Sequence, residues 1–292
     1  MSDVILDAAF LKKIERLSLI SRRAFAGQMK GEKRSVKRGA SVEFADYREY
    51  QQGDDLRYVD WNTAARLDKL FIKLFIEEED LFLSLLIDTS KSMGFGSPAK
   101  LTYAARTAAA LGYIGLTNYD RVSAITFSSN IHTSLPAHRG RGAVPPLFHY
   151  LNQLKADGET SFQAALKSYA MRVKHRGVAV VLSDFLDPNW KDGLSSLLAR
   201  GFQLVLIHIL DEKEITPALT GDLRILDCET GLSKEMSVSP ALLGRYEVAF
   251  NRFCNDIESF AHRYGVDYFR VSTQYAFDDL ILKYLREGGV VR

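Results

Sequence analysis

The chain has 292 residues, of which 47% are hydrophobic and 25% charged, and its formal net charge is +2. A chain of this length buries roughly 75% of its unfolded surface, so it forms a core without disulfides or structural metals. Its longest apolar runs are much shorter than the ~20 residues that a membrane helix needs, so we expect no membrane span. The first residues lack a signal-peptide pattern and the two cysteines lack CxxC spacing, which together predict a cytoplasmic protein.

The first segment combines an amphipathic helix with a basic stretch. Apolar residues at helical spacing predict a helix from about Val4 to Phe25, and a glycine-containing basic loop follows from Gly27 to Gly39. Ten basic residues face two acidic ones between Lys12 and Arg38. This stretch is either a solvated helix face and loop or a footprint for nucleic acid, anionic lipid or an acidic protein surface. Because no recognised nucleic-acid motif accompanies it, we expect no nucleic acid as a partner.

The next segment, from Glu43 to Arg66, mixes aromatic and charged residues without a clear helical or strand period. One interpretation is structural: the arginines pair with nearby aspartates while Trp61 packs as a cover on the rest of the protein. The other is a partner surface, since Trp, Tyr and Arg are enriched in binding hot spots. The residues concerned are Arg48, Arg57, Arg66, Asp54, Asp55 and Asp60.

From Leu81 onward, short runs rich in Val, Ile and Leu alternate with helical periods. This alternation predicts an α/β fold with a doubly wound, mostly parallel sheet that is covered on both faces. The predicted strands are Leu81 to Ile87, Arg121 to Phe127, Val178 to Ser183, Phe202 to Leu210 and Val266 to Val271.

Two Ser-Pro pairs, Ser97-Pro98 and Ser239-Pro240, predict helix starts, because serine caps a helix and proline suits its first position. The residues around Glu229 predict a hairpin near residues 223–238. We therefore expect two parts: an N-terminal helical and irregular extension over residues 1–78, and a sheet domain over residues 79–292.

Oxygen-bearing side chains follow two of the predicted strands. Asp88, Ser90 and Ser92 come directly after the first strand, and alternate residues of an extended loop project the same way. Asp184 follows the third strand, and Thr160 precedes a helix that begins close by. Thr160 also fits a helix-capping box. Carboxylate and hydroxyl oxygens suit Mg²⁺ or Mn²⁺, so these five residues predict a metal site at the carboxyl edge of the sheet.

Asp88, Ser90, Ser92, Thr160 and Asp184 resemble the metal-ion-dependent adhesion site of von Willebrand factor A domains. The resemblance covers roughly residues 81–271 and implies a Rossmann-type, von Willebrand A-like fold. It also implies that hydroxyls and a carboxylate hold Mg²⁺ while an acidic side chain of a partner completes the metal shell. Glu159 stands where that family usually has a second glycine, so it is a candidate internal ligand or competitor.

The preceding segment, from Arg38 to Gly96, resembles the bacterial domain of unknown function 58. The matching positions are Arg38, Gly39, Glu43, Phe44, Arg48, Tyr50, Gly53, Asp54, Asp55, Arg57, Asp60, Trp61, Ala65 and Arg66. Many members of that family are encoded beside MoxR-type AAA+ ATPases. The resemblance therefore implies an adaptor or co-chaperone that works with such an ATPase.

Signatures for nucleotide hydrolysis, dinucleotide binding, zinc proteolysis and serine hydrolysis are missing from the sequence. The six histidines show no metal-ligand spacing, and His208 lies in an apolar run typical of a core histidine. We identify no catalytic nucleophile or base and predict a Mg²⁺-dependent protein-binding adaptor. Two alternatives stay open: a metal-dependent phosphohydrolase using Asp88 and Asp184, and a basic scaffold for nucleic acid or anionic lipid.

Overall fold

A computed structural model describes residues 5–19, 42–52, 56–67, 69–77 and 81–291. The described residues form two compact units, one from residues 5–19 and 81–291 and one from those between 42 and 77. The strands are β1 (Val42–Glu49), β2 (Phe71–Glu77), β3 (Phe82–Asp88), β4 (Arg121–Phe127), β5 (Ile131–Arg139), β6 (Val178–Ser183), β7 (Gln203–Leu210), β8 (Gly221–Leu226), β9 (Ser233–Val238) and β10 (Asp267–Ser272). The helices are α1 (Ala8–Ile14), α2 (Trp61–Leu67), α3 (Lys100–Thr117), α4 (Val144–Asn152), α5 (Phe162–Arg172), α6 (Trp190–Arg200), α7 (Glu212–Ile215), α8 (Pro240–Tyr264), α9 (Phe277–Asp279) and α10 (Leu285–Glu287). Short 3-10 turns lie at Leu56–Tyr58, Lys91–Gly94 and Arg141–Ala143, and a π-turn spans Leu280–Tyr284.

The larger unit is built on a six-stranded sheet with the order β10-β7-β6-β3-β4-β5. Five strands are parallel, and β5 pairs antiparallel with β4 at one edge. The chain leaves β3 toward β4 on one side and later places β6 on the other side of β3. This reversal of strand order is the topological switch point at which open α/β sheets form a crevice.

All five predicted parallel strands are present, with boundaries that differ by at most one residue. Every residue of β6 is buried, as are six of the seven residues of β3, because helices cover both faces of the sheet. The predicted doubly wound α/β fold is therefore confirmed. The edge strand β5 is a finding that the sequence pattern did not predict.

Two apolar clusters lie on opposite faces of the sheet. One contains alternate residues of β3, such as Leu83 and Leu85, together with buried residues of α3 and α4. The other contains Leu86 of the same strand and buried residues of α5, α6 and α8. The alternation along β3 follows from the two-residue period of a strand, so the sheet forms the middle layer of three.

The N-terminal helix α1 belongs to the larger unit, which corrects the predicted boundary at residue 78. Phe10 and Ile14 of α1 are buried in the same apolar cluster as α3, and the rings of Phe10 and Phe277 lie 5.1 Å apart. Leu19 also forms a bridge with Val291. The helix is shorter than predicted: it begins at Ala8 and ends at Ile14, and residues 15–19 form a turn and an irregular segment that ends in the Leu19 bridge. The part of the predicted helix from residue 20 to Phe25, and the basic loop, lie outside the described residues.

The two predicted helix starts differ in outcome. Ser239 caps α8, and its hydroxyl accepts a hydrogen bond from the backbone amide of Leu242 at 3.3 Å. The helix predicted at Ser97-Pro98 begins instead at Lys100, whose amide donates to the carbonyl of Phe95 at 3.0 Å. The chain from Phe95 to Lys100 forms a turn, so α3 begins beside the carboxyl edge of the sheet.

The smaller unit consists of the antiparallel β1-β2 pair, with α2 between the two strands along the chain. Asp60 caps α2 by accepting hydrogen bonds from the amides of Asn62 (3.1 Å) and Thr63 (3.3 Å), and it also accepts one from the Tyr47 hydroxyl at 2.8 Å. Trp61 is 61% exposed, and its packing as a cover on the rest of the protein stays a prediction. The predicted arginine pairing with Asp54 and Asp55 lies outside the described residues.

His208 on β7 is fully buried, as the apolar run predicted, and its Nδ1 atom lies 2.8 Å from the Tyr268 hydroxyl. Burial lowers the pKa of His208 to about 3 from its usual 6.5, although the nearby Asp184 charge opposes this. The native state therefore holds a neutral imidazole over a range in which the unfolded chain binds a proton.

We expect His208 to contribute stability that is fully present above pH 6.5 and is lost as the pH falls toward 3. The measurement is the free energy of unfolding of wild-type protein and a His208→Phe variant between pH 7.5 and 4.5. As the pH falls, the free energy of unfolding should decrease more for the wild-type protein than for the variant. A difference that stays constant over this range would contradict the prediction.

Candidate metal centre at the carboxyl edge of the sheet

Two aspartates mark the switch point of the sheet. Asp88 is the last residue of β3, and Asp184 directly follows the neighbouring strand β6. Because parallel strands end at the same edge, their carboxylates are brought to one crevice. Both residues are at most 1% exposed, so the fold places two acidic groups out of water at this point.

The loop after β3 is held in position by main-chain and side-chain hydrogen bonds. One carboxylate oxygen of Asp88 accepts from the amide of Ser90 at 2.9 Å, and the other accepts from the Ser183 hydroxyl at 2.6 Å. The amide of Lys91 donates to the Gly158 carbonyl at 3.0 Å, and the Asp157 amide donates to the carbonyl of the residue after Asp88 at 2.7 Å. The loops after β3 and before α5 are thus joined.

Ser90 and Ser92 are both buried, and their Oγ atoms lie 3.0 Å apart. Neighbouring ligands in an octahedral Mg²⁺ shell, each at about 2.1 Å from the ion, are separated by roughly 3 Å. The spacing of the two hydroxyls therefore fits two adjacent positions of such a shell. A carboxylate and two hydroxyls converging on one buried point are also the hard oxygen ligands that this ion prefers.

Thr160 lies just before α5, in the loop that is hydrogen-bonded to the loop after β3, and it is partly exposed. Its hydroxyl does not cap the helix: it donates to Oε1 of Glu229 at 2.9 Å, and its amide donates to Oε2 of the same carboxylate at 3.1 Å. The amide of Phe162, in the first turn of α5, donates to the Asp187 carboxylate at 2.8 Å. Asp187 therefore satisfies this end of the helix in place of Thr160. The alternative capping-box role of Thr160 is therefore wrong.

Asp184 contacts a buried lysine. The ammonium of Lys100, at 0% exposure, donates to Oδ2 of Asp184 at 2.7 Å and also to a carboxylate oxygen of Glu214. Burial by itself lowers the pKa of Lys100, but the charges of Asp184 and Glu214 outweigh it and hold this pKa above its usual value. Lys100 therefore stays charged and compensates one acidic group of the crevice.

Glu214 is oriented toward Lys100 by the local structure of α7. Asp211 and Glu214 form a capping box, in which Oε2 of Glu214 accepts from the Asp211 amide at 2.8 Å. The Asp211 carboxylate in return accepts from the amide of Lys213 at 3.0 Å. With one oxygen fixed to the backbone, the other oxygen of Glu214 is directed at the ammonium group.

The electrostatics of Asp88 favour a bound cation. Burial, followed by the Coulomb repulsion of Asp184, raises the pKa of Asp88 to about 7, although hydrogen bonds from Ser183 and Ser90 oppose this. A group with such a pKa exchanges its proton readily near neutral pH. A divalent ion can therefore replace a proton at Asp88 at a modest cost.

The sequence analysis missed three residues of this edge: Lys100, Glu214 and Glu229. Lys100 carries a detectable signal, because a lysine in the first turn of a helix opposes the helix dipole and needs acidic partners. Glu214 and Glu229 come from segments far along the chain, and only the fold brings them here. Within the described residues there is no group of three His, Cys, Asp or Glu side chains arranged to hold a metal, so a bound ion relies on the hydroxyls.

The other predicted binding residues lie away from this cluster or at its margin. Glu159 is in the same loop as Thr160 with an exposed side chain, and its role as an internal ligand stays a prediction. Arg48, Arg57 and Arg66 belong to the smaller unit, and their role as a partner surface also stays a prediction.

Fold and site together define a doubly wound α/β domain with a buried, acidic and hydroxyl-lined crevice at its switch point. The family described as "Protein of unknown function DUF58" matches residues 46–252, and the chain belongs to this family. The predicted resemblance to that family is confirmed.

Relatives of similar length occur in mycobacteria. An uncharacterized protein of Mycobacterium bovis and one of Mycobacterium tuberculosis are each 28% identical over 242 residues, covering 81% of this chain and 76% of theirs. Among the described residues, no helix has both the length and the apolar character that would let it cross a membrane.

Two solved structures are similar to this chain at low identity. BatB from Bacteroides thetaiotaomicron, a conserved hypothetical protein, has a TM-score of 0.44 at 13% identity, with 71% of this chain and 98% of that chain covered. The SpRpn10 VWA domain has a TM-score of 0.39 at 15% identity, with 70% and 94% covered.

Proposed function

We propose that the protein is a Mg²⁺-dependent protein-binding adaptor whose metal edge recognises an acidic side chain of its partner. Asp88, Ser90, Ser92, Thr160 and Asp184 would hold the ion, with Mn²⁺ as an alternative to Mg²⁺. The bound ion would supply a positive site for a carboxylate oxygen. The supporting observation is the convergence of two buried aspartates and two serine hydroxyls 3.0 Å apart at the switch point.

The chemistry of the partner follows from the ligand set. Two carboxylates and three hydroxyls would leave an octahedral ion with one position to fill, and the partial exposure of Thr160 supports an opening of the site to solvent on that side. An acidic oxygen is the strongest ligand for this position. Family resemblance makes a MoxR-type AAA+ ATPase complex, or its client, the proposed source of the Asp or Glu residue.

The hydrogen bonds of Asp88 argue against this residue as the nucleophile of a phosphohydrolase. Both of its carboxylate oxygens already accept hydrogen bonds, one from a backbone amide and one from Ser183, so the group is held as a fixed acceptor. A nucleophile needs a free oxygen directed at the substrate and a base or acid beside it. The alternative of a basic scaffold rests on a segment mostly outside the described residues.

The test is a binding measurement against a MoxR-type AAA+ ATPase from the same organism. We expect binding in millimolar Mg²⁺, none in EDTA, and at least about 30-fold weaker binding for Asp88→Ala, because loss of a buried charged partner costs about 2 kcal/mol or more. Asp256→Ala is the matched control: Asp256 is an exposed aspartate of α8, 4.0 Å from Lys191.

Full binding in EDTA, or equal affinity for wild type and Asp88→Ala, would show that the metal edge is not the contact surface. Metal-dependent hydrolysis of a phosphate ester that disappears in Asp88→Asn would instead favour the phosphohydrolase alternative.

A further inference from the structure

The β8-β9 hairpin reaches the candidate metal centre with its turn. Glu229 in that turn binds Thr160 through both carboxylate oxygens, at 2.9 and 3.1 Å, and its carbonyl accepts from the Lys91 ammonium at 3.2 Å. These contacts join the hairpin to two of the three loops that carry the predicted metal ligands. A carboxylate of this chain thus lies against Thr160, the partly exposed member of the predicted ligand set.

The turn presents Glu229 in a fixed conformation. The Asp227 carboxylate accepts hydrogen bonds from the amides of Glu229 (2.8 Å) and Thr230 (3.2 Å), and the Asp227 carbonyl accepts from Gly231 at 2.9 Å. Gly231 has a φ of 72°, in the left-handed region that favours glycine in a turn. The acidic side chain is therefore preorganised before it meets Thr160.

The strands of the hairpin contribute little to holding it in place. All but one residue of β8, and four of the six residues of β9, are exposed. A two-stranded hairpin without a buried face is at best marginally stable on its own. The contacts of Glu229 at the turn therefore make a large contribution to its position, and losing them would release the turn.

We propose that Glu229 is a resident carboxylate of the metal centre, which takes the position that a partner's acidic residue would occupy. This inference rests on the proposed function. It follows that partner binding displaces the hairpin turn, and that the acidic residue of the partner competes with Glu229. We therefore expect the partner to present its acidic residue as this hairpin does, as a glutamate that projects from a tight turn.

The first experiment measures Mg²⁺ affinity by calorimetry for the full chain, Glu229→Gln and the control Glu235→Gln. Glu235 is an exposed glutamate on β9 of the same hairpin, so the control removes the same charge without touching Thr160. We expect Glu229→Gln to bind Mg²⁺ at least about tenfold more weakly, and the control to match wild type.

Three outcomes are distinguishable. Weaker binding for Glu229→Gln alone supports the inference. Equal affinity in all three proteins overturns the inference while the metal site stands. If none of the three binds Mg²⁺, both the inference and the proposed function are wrong.

The second experiment measures how tightly the protein binds a separate peptide that carries the sequence of the hairpin turn. A labelled peptide with the sequence of residues 226–232 is added at saturating Mg²⁺, next to a control peptide with glutamine in place of the glutamate. Removing an intramolecular competitor should let Glu229→Gln bind the acidic peptide at least about tenfold more tightly than wild type does. If the acidic peptide binds both proteins equally, or if both peptides bind equally, the proposal that a partner displaces Glu229 is wrong.

Discussion

Replacing Lys100 by Met is expected to lower the free energy of unfolding by about 3–5 kcal/mol, because it leaves the buried carboxylate of Asp184 and the partly buried one of Glu214 without their cation. Asp184 and Glu214 both bind the Lys100 ammonium, and the lysine is fully buried. The side-chain volumes of Lys and Met are similar, so loss of packing contributes little. At roughly 2–4 °C per kcal/mol, the melting temperature should fall by roughly 6–20 °C.

Lys191→Met is the matched control for this prediction. Lys191 is 54% exposed and lies 4.0 Å from Asp256, so its loss should change stability by no more than about 0.5 kcal/mol. Adding Asp184→Asn to Lys100→Met should recover part of the lost stability, since one uncompensated charge is removed. Equal melting temperatures for Lys100→Met and the control would show that the buried ion pairs contribute nothing.

Mg²⁺ is expected to stabilise the native protein strongly at pH 8 and less at pH 6. At 100 times its dissociation constant, an ion that binds only the native state adds about 2.7 kcal/mol, or roughly 5–10 °C in melting temperature. The pKa of Asp88 is raised to about 7, so at pH 6 the ion must displace a proton. A tenfold weaker apparent affinity there reduces the gain to about 1.4 kcal/mol.

In the metal-free protein, stability changes with pH in the opposite direction. Since the native pKa of Asp88 lies above its usual 3.8, the stability that this group contributes is present below that value and is lost as the pH rises through about 7. Thermal melts in EDTA and in Mg²⁺ at pH 6 and 8 measure both effects, with Asp88→Ala expected to lose the metal response. A metal-induced shift that is the same at both pH values, or that survives in Asp88→Ala, would contradict the assignment.

The sheet was predictable because burial on both faces imposes long apolar runs on its parallel strands. The edge strand β5 escaped prediction because it lies exposed along most of its length and contains Pro136 and two histidines. An edge strand needs no continuous apolar run, and proline is tolerated there because one side has no ladder partner. Its pairing with β4 is also interrupted by register shifts, which remove a regular alternation.

The candidate site, like the sheet, could be predicted only in part. Asp88, Ser90, Ser92 and Asp184 could be placed together because strand ends of a parallel sheet share one edge. The contacts of Lys100 and Thr160 could not, because Lys100 is 84 residues from Asp184 and 114 from Glu214, and Thr160 is 69 residues from Glu229. Such pairings depend on the three-dimensional path of the chain, and no local period encodes them.

The position of α1 in the larger unit has a consequence for dissecting the protein. The smaller unit is an insertion along the chain between α1 and β3, so no single cleavage separates the two units as intact pieces. A fragment that starts at Leu81 would lack Phe10 and Ile14 and would expose the apolar surface that they cover on the sheet unit. An independent sheet domain instead needs residues from both sides of the insertion, joined by a short linker or expressed as complementary pieces.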